Sequence, residues 1–162
     1  MGSGKTSLGK IAAEKAGIPF CDMDGMIELQ QNKSLSQIFA EKGEKHFRQL
    51  EYDYLRNIPL SKDMILATGG GVACFDDNMN YMNSVGKTIF INLTPEQLKV
   101  RLEATDMDSR PLLKGKRNEE LLDYITSKLT EREPFYLQAN YVITGEDEEI
   151  TEQIIKIIQV NS

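Results

Sequence analysis

Apolar residues recur every three or four positions along several stretches of the chain, and short continuous apolar runs separate those stretches. The first spacing is typical of helices with one buried face, whereas short runs bounded by Gly, Pro or acidic residues are typical of buried strands. The predicted helices cover residues 6–16, 25–31, 35–40, 76–83 and 118–132. Three further helices are predicted: one follows Gly43, one begins at Pro95, and the last carries residues 150–158. The predicted strands cover residues 20–24, 63–68, 87–92 and 141–143.

Strands and helices therefore alternate along the chain, which predicts an α/β fold with a three-layer, doubly wound parallel sheet. The length of 162 residues fits a single domain. In an open parallel sheet, ligands bind beyond the carboxyl ends of the strands. Four segments of chemical interest are expected at such ends: residues 2–6, Asp22 with Asp24, residues 69–71, and the segment leading to Arg110.

The composition excludes several classes of function. A formal net charge of −6 argues against nucleic-acid or membrane-surface partners, and no apolar run is long enough to span a membrane. With Cys21, Cys74 and His46 as the only cysteines and histidine, a zinc site or a Cys/His nucleophile pair is not expected. The two cysteines fit reduced thiols in a cytoplasmic protein. Catalysis would then rely on carboxylates, basic side chains, backbone amides and a metal ion.

The segment Gly-Ser-Gly-Lys-Thr at residues 2–6 is typical of a phosphate-binding loop that opens a helix. Gly2 and Gly4 allow backbone conformations in which successive N–H groups converge on phosphate oxygens. Lys5 would reach the terminal phosphates, and the hydroxyl of Thr6 would bind Mg²⁺. The N-terminal dipole of the helix that follows would add to the attraction for an anion.

Only the second half of the phosphate-loop pattern is in this sequence. The full pattern has another Gly five residues before Gly4, and a buried strand leads into it. We expect the parent protein to carry about ten further residues that include this strand, which would lie among the central strands of the sheet. The alternative interpretation is a chance start rich in Gly and Ser.

Asp22 and Asp24 follow the second apolar run of the chain. One of these acids would orient water molecules on Mg²⁺, and the other would accept a proton from a substrate hydroxyl. The alternative is a solvated strand end followed by a helix cap at Asp24. Their position directly after the phosphate-loop helix favours the functional interpretation.

Three consecutive glycines, Gly69, Gly70 and Gly71, follow Thr68 at the end of a predicted strand. Such a run is entropically costly, so it indicates a tight turn or a close approach of the main chain to a ligand. Many phosphate-loop enzymes have a metal-binding acid at this strand end. Its absence here moves that role toward Asp22.

Three arginines stand in settings of interest, although each could also be an ordinary surface residue. Arg110 precedes Pro111 in a charged segment without periodicity at residues 106–116, and Arg132 precedes Glu133-Pro134 near a predicted helix end. Arg48 lies on the predicted helix after Gly43. Guanidinium groups are suited to bidentate binding of carboxylate or phosphate.

Together, these motifs resemble the shikimate kinase family in order and spacing over almost the whole chain. The segments that carry the resemblance are GSGKTSLGK (2–10), FCDMD (20–24), IF (38–39), GEKHFRQLE (43–51), TGGG (68–71), RPLL (110–113) and EREPFY (131–136). The resemblance implies a P-loop kinase domain over residues 1–162, with substrate-binding helices at about 25–55 and a lid at about 106–118. It implies transfer of the γ-phosphoryl group of ATP to the 3-hydroxyl of shikimate, a step toward chorismate and the aromatic amino acids.

The resemblance also implies the nucleotide side of the site. Lys5 would hold the β- and γ-phosphates, Thr6 would bind Mg²⁺, and Asp22 would act on the metal through water. Arg110, on the lid, would close over the phosphates, whereas Arg101 is matched to the adenine only weakly. The expected nucleotide-binding residues are Gly2, Ser3, Gly4, Lys5, Thr6, Ser7 and Arg110.

On the acceptor side, the resemblance implies that Asp24 binds the shikimate hydroxyls and acts as base or orienting acceptor. Arg48 and Arg132 would hold the shikimate carboxylate, and Gly70 and Gly71 would offer backbone contacts. The expected partners are thus ATP or ADP and shikimate, with Mg²⁺ as cofactor, in a cytoplasmic monomer.

Three other functions are compatible with parts of the pattern. A gluconate-type kinase would share the fold but differ in acceptor. A nucleotide-binding module or fragment without catalysis would bind ADP without acceptor-dependent turnover. A purely structural interaction domain would leave the acids, glycines and arginines coincidental.

Overall fold

The computed structural model of the chain describes residues 2–59, 63–104, 115 and 117–160. Over these residues, helices alternate with short strands, which confirms the predicted α/β class. In chain order the elements are α1 (Lys5–Ala16), β1 (Phe20–Asp22), α2 (Met23–Gln31), α3 (Leu35–Asn57), β2 (Ile65–Ala67), a 3₁₀ turn (Val72–Cys74), α4 (Asn78–Val85), β3 (Ile89–Ile91), α5 (Pro95–Glu103), α6 (Asn118–Tyr136), β4 (Tyr141–Ile143) and α7 (Asp147–Gln159). No helix among them is long and apolar enough to cross a bilayer.

The strands form two parallel pairs. Phe20 of β1 lies opposite Ile65 of β2, and Ile89 of β3 lies opposite Tyr141 of β4. In the part of the chain that the structure describes, β2 and β3 are not paired with each other. Both pairs are parallel, as predicted, and each places its carboxyl ends next to the loops that carry polar side chains.

A cavity of about 580 Å³ lies between β2 and β3. All three residues of each strand line it, together with apolar side chains of α4 and α7 such as Met82 and Ile157. An unpaired strand edge next to a cavity leaves backbone N–H and C=O groups without ladder partners. The apolar walls and open strand edges have room for one extended apolar segment.

Two hydrophobic cores hold the helices against the strands. The larger core joins α1 and α7 to β3, β4, α5 and α6; its most buried members include Ala12, Leu102, Leu121 and Ile150. The smaller core lies under α2 and α3 and contains Met23, Ile27, Ile38, Phe47, Leu55 and Val72. The second core therefore fixes the helices that carry Asp24 and Arg48.

Local sequence signals explain several element boundaries. Ser34 and Thr94 each form a capping box with the Gln three residues later, as expected for helix starts. Gly43, at φ 75° and ψ 176°, interrupts α3 and separates the two helical segments that the sequence predicts. A φ in this range is strained for residues with a side chain, so Gly is well suited to the break.

Two predicted boundaries are wrong in a way that affects the site. Asp24 was predicted at a strand end, but β1 ends at Asp22 and Asp24 lies in the first turn of α2. The cause is the Asp22 side chain, which caps that helix. Likewise α6 continues through Pro134 to Tyr136, where the ring of Tyr136 packs against Phe90 at 5.0 Å between centroids.

The predicted lid falls on residues of which only Gly115, Arg117 and Asn118 are described. Arg110 and Pro111 lie outside the described residues.

Filling the cavity between β2 and β3 is expected to stabilise the fold. An extension of about six Val and Ile residues with a short glycine-containing turn, placed ahead of Gly2, would pair both open strand edges. We expect the free energy of unfolding to rise by about 2 kcal/mol or more, as for burial of one or two large apolar side chains. Urea unfolding measures the gain, with a Ser/Gly extension of equal length as control. Equal midpoints for the two extensions would contradict a strand-accepting cavity.

Candidate functional site

The glycine-rich start of the chain forms a tight turn at the first residues of α1. Gly2 and Gly4 have φ values of 70° and 82°, and Gly4 caps the helix. A Cβ at Gly2 would lie 2.8 Å from Cγ of Leu102, and one at Gly4 would lie 3.1 Å from Nη1 of Arg101. Both positions therefore need glycine, as the phosphate-loop interpretation expects. The turn stands directly before the first N–H groups of α1, the end of a helix that attracts anions.

Thr6 and Asp22 meet across the gap between α1 and β1. Thr6 Oγ1 donates to Asp22 Oδ2 at 2.6 Å, while Asp22 Oδ1 accepts from Gly25 N at 3.1 Å and caps α2. Hydroxyl and carboxylate oxygens are ligands that Mg²⁺ accepts, and this ion usually takes few protein ligands beside water and phosphate. No group of three or more His, Cys, Asp or Glu among the described residues could hold a metal alone. The donor set thus fits a metal bound jointly with a phosphate ligand.

Asp24 is a half-buried carboxylate in the first turn of α2. Its Oδ1 is buried and has no hydrogen-bond partner within the described residues. Burial raises the pKa of Asp24, the Asp22 charge adds to the rise, and Lys5 and Arg48 oppose it. A carboxylate of raised pKa next to cations is a stronger proton acceptor than an ordinary surface acid.

Arg48 is held in place by two acids of α3. Its Nη1 donates to Glu51 Oε2 at 2.6 Å, and its Nη2 donates to Glu44 Oε1 at 2.9 Å. The guanidinium also stacks over the ring of Phe75 at 4.2 Å from the centroid. Glu51 is only 1% exposed, so this ion pair is shielded from water. Such an arrangement fixes a guanidinium that can still present donors to a carboxylate.

The three glycines after β2 lie against these charged groups. A Cβ at Gly69 would lie 2.8 Å from Glu51 Oε1 and 2.9 Å from Asp24 Oδ1. At Gly71 it would lie 2.6 Å from Arg48 Nη1. The glycines at positions 69 and 71 are therefore explained by close approach of the main chain to the Arg48, Glu51 and Asp24 side chains.

Arg132 contributes to the same region from α6. Its charge acts on Glu51, where Arg48 also acts, and on Tyr136 one helical turn further along. Both arginines also influence Cys74: burial raises the pKa of this thiol, and Arg132 and Arg48 oppose the rise. The structure thus brings the two predicted arginines to one neighbourhood.

Several residues of the site were missed or only weakly assigned from the sequence. Arg101 lies against the glycine-rich turn, where it bonds Ser3 O at 3.5 Å and pairs with Asp147 at the start of α7. Glu51 had no assigned role, although an acid three residues after Arg48 on the apolar face of a helix signals a buried pair. The sequence assigns no role to Tyr136, whose hydroxyl donates to Gly70 O, because the predicted helix ends before this residue.

The comparisons with known proteins agree on one family. The family model for shikimate kinase matches residues 1–161. Shikimate kinases from Bacteroides fragilis and Bacteroides thetaiotaomicron are 44% and 42% identical over 159 residues, which cover 98% of this chain and 88% and 90% of those proteins.

Solved structures are similar as well. A crystal structure of shikimate kinase from Bacteroides thetaiotaomicron superposes with a TM-score of 0.88 at 40% identity, covering 98% of this chain and 92% of that one. Shikimate kinase from Acinetobacter baumannii in complex with shikimate gives 0.85 at 30% identity, covering 100% and 90%.

The buried carboxylate of Glu51 predicts a pH-dependent stability. Burial raises its pKa from an ordinary value of 4.5 to about 7, with Arg48 lowering it and Asp24 raising it further. Because the folded state holds this proton more tightly, the stabilisation is full below pH 4.5 and is lost as pH rises through about 7. The loss should amount to roughly 3 kcal/mol. Glu51→Gln keeps an acceptor for Arg48 without titrating, so urea unfolding should show a flatter slope between about pH 5 and 8.

Glu44→Gln is the matched control, because Glu44 pairs with the same guanidinium while its side chain is 60% exposed. Its pH slope should equal that of the parent chain. A slope unchanged by Glu51→Gln would show that Glu51 is ionised throughout this range.

Proposed function

The chain belongs to the shikimate kinase family, and on that premise we propose that it transfers the γ-phosphoryl group of ATP to the 3-hydroxyl of shikimate. The observation that carries the proposal is the place of Asp24. The Oδ1 atom of this carboxylate is buried, and the charges of Asp22 and Lys5, next to the glycine-rich loop, and of Arg48 on α3 all act on the pKa of Asp24. A proton acceptor between a phosphate loop and an anion clamp is the arrangement that phosphoryl transfer to a hydroxyl of an acidic acceptor needs.

On the nucleotide side, Lys5 contacts the β- and γ-phosphates, and the backbone of Gly2, Ser3 and Gly4 binds phosphate oxygens. Ser7 supports the turn through its hydroxyl, which donates to Gly4 O at 3.1 Å. Thr6 and Asp22 would hold Mg²⁺, Asp22 through water; the support is that their side-chain oxygens already lie within hydrogen-bond distance. The ion would neutralise charge on the transferred phosphoryl group when bound. Arg110, on the proposed lid at about 106–118, closes over the phosphates.

On the acceptor side, Arg48 and Arg132 bind the shikimate carboxylate. The support is the fixed orientation of Arg48 over Phe75 and the action of both arginines on Glu51. Gly70 and Gly71 bring their backbone close to the acceptor, since no side chain fits at Gly71 beside Arg48. The helices of about residues 25–55 thus form the acceptor-binding part of one domain.

In the reaction, the 3-hydroxyl oxygen of shikimate forms a bond to the γ-phosphorus, and the bond from that phosphorus to the bridging oxygen of ADP breaks. The hydroxyl proton passes to Asp24. Lys5 and the backbone N–H groups of the glycine-rich loop stabilise negative charge on the phosphoryl oxygens and on the leaving ADP. The raised pKa of Asp24, caused mainly by burial, makes this carboxylate a stronger proton acceptor than an ordinary surface acid. We further propose that the enzyme is a cytoplasmic monomer.

Shikimate-dependent release of ADP from ATP and Mg²⁺ tests the proposal, with gluconate as the control acceptor. We expect ADP release with shikimate but not with gluconate. Asp24→Asn should suppress this turnover, because Asn accepts no proton, and should leave the affinity for ADP nearly unchanged. The assay is run on the 162-residue chain and on the same chain with the apolar N-terminal extension. Turnover with gluconate would favour the gluconate-type kinase, and ADP binding without any turnover in both forms would favour a non-catalytic nucleotide-binding module.

Replacing Gly71 with Ala should weaken acceptor binding specifically. The new Cβ would lie 2.6 Å and 2.8 Å from the two terminal nitrogens of Arg48 and would displace that guanidinium. Loss of a charged hydrogen bond predicts a rise in the shikimate KM of about ten- to a hundredfold, with the ATP KM unchanged. Steady-state kinetics with each substrate varied in turn measures both.

Gly86→Ala is the matched control, because a Cβ there would have no neighbour within 4 Å and its backbone is extended at φ −170°. It should leave both KM values as they are. An unchanged shikimate KM in Gly71→Ala would show that Arg48 does not bind the acceptor.

A further inference from the structure

Tyr136 connects the end of α6 to the glycine-rich loop after β2. Its hydroxyl donates a hydrogen bond to the carbonyl oxygen of Gly70, 66 positions away in the sequence. The ring packs against Phe90 of β3 with centroids 5.0 Å apart and planes inclined by 38°. The side chain is thus fixed at both ends, by an aromatic contact on β3 and by a polar contact on the loop.

The bond to Gly70 also sets the direction of the next amide. The peptide between Gly70 and Gly71 is planar and trans, so its C=O and N–H point in opposite directions. With the carbonyl turned toward Tyr136, the N–H of Gly71 points away from α6. Glycine has no side chain to restrict rotation of this peptide, so a fixed partner is needed to hold one orientation.

The same hydroxyl interacts with Arg132, which lies one helical turn earlier on α6. Arg132 in turn acts on Glu51, the partner of Arg48. The phenol is thus bonded to the Gly70 carbonyl, and the charge of Arg132 acts both on this phenol and on Glu51.

We propose that Tyr136 is a positioning residue of the acceptor site, whose hydroxyl holds the Gly70–Gly71 peptide and Arg132 in the relative arrangement that binds the acceptor. The proposal rests on the proposed function of the site. Tyr136 touches neither the phosphate loop nor the Thr6–Asp22 pair in the described contacts. Its effect is therefore confined to the acceptor and leaves the nucleotide unaffected.

Tyr136→Phe tests this role, because it removes the hydroxyl and keeps the ring against Phe90. We expect the shikimate KM to rise about three- to tenfold, the value of one neutral hydrogen bond, with kcat within about twofold and the ATP KM unchanged. Tyr81→Phe is the matched control: Tyr81 is a half-buried tyrosine of α4 whose ring packs near Arg56, and its hydroxyl deletion should change none of these constants.

Two outcomes would overturn the proposal. One is a normal shikimate KM in Tyr136→Phe, and the other is an equal loss for ATP and shikimate, which would indicate general destabilisation. If the unsubstituted chain shows no shikimate-dependent turnover, this contradicts the proposed function and not the role of Tyr136.

A measurement without turnover keeps the positioning role testable in either case. In a chain labelled with [¹⁵N]glycine, the Gly71 amide signal is identified by its loss in Gly71→Ala. Tyr136→Phe should shift this signal and leave that of Gly86 in place. An unmoved Gly71 signal would show that Tyr136 does not set this peptide.

Discussion

The acceptor side of this molecule depends on the ion pair between Arg48 and Glu51 on α3. Removing a carboxylate from water is costly unless a cation and hydrogen bonds replace the solvent, and Arg48 supplies both at 2.6 Å. The pair also limits which residues fit in the neighbouring loop after β2. Side chains at Gly69 and Gly71 would collide with Glu51 and Arg48 respectively, so the loop after β2 has to remain bare there. The burial of the Glu51–Arg48 pair thus explains why the main chain at Gly69 and Gly71 carries no side chain.

The rest of the fold places this pair opposite the phosphate loop. The smaller core beneath α2 and α3 fixes the helices that carry Asp24 and Arg48, while the larger core fixes α1 and the glycine-rich turn. The strand pair β1–β2 joins the two regions, because β1 leads into Asp22 and β2 leads into the glycines. Phosphoryl transfer requires positioning above all, and here the positioning comes from two separately packed regions that meet at strand ends.

The class of fold, the order of its elements and the helix caps at Ser34 and Thr94 follow from periodicity and local capping signals. Strand ends and the boundary at Asp22 do not, since a capping side chain competes with strand pairing and only the folded neighbourhood decides between them. Pro134 favours a helix end in sequence terms, yet the packing of Tyr136 on Phe90 extends the helix beyond it. Tyr136 acquires its role only through a contact with the distant Gly70, whereas Glu51 pairs with Arg48 three residues earlier on the same helix. The roles of Lys5, Asp24 and Arg110 in catalysis, and of Arg132 in acceptor binding, stay predictions, and Arg110 lies outside the described residues.

Asp22 shows how closely two tasks can be combined in one side chain. One oxygen receives the hydroxyl of Thr6 and the other receives the first-turn amide of Gly25, so both are occupied in the same rotamer. A glutamate would keep the charge but place its oxygens one methylene further out, where both partners cannot be met together. Asparagine would keep the length but lose one acceptor. This position therefore has little freedom for evolutionary drift, and the phenotype of any variant here would combine the loss of the Thr6 contact with a displaced helix.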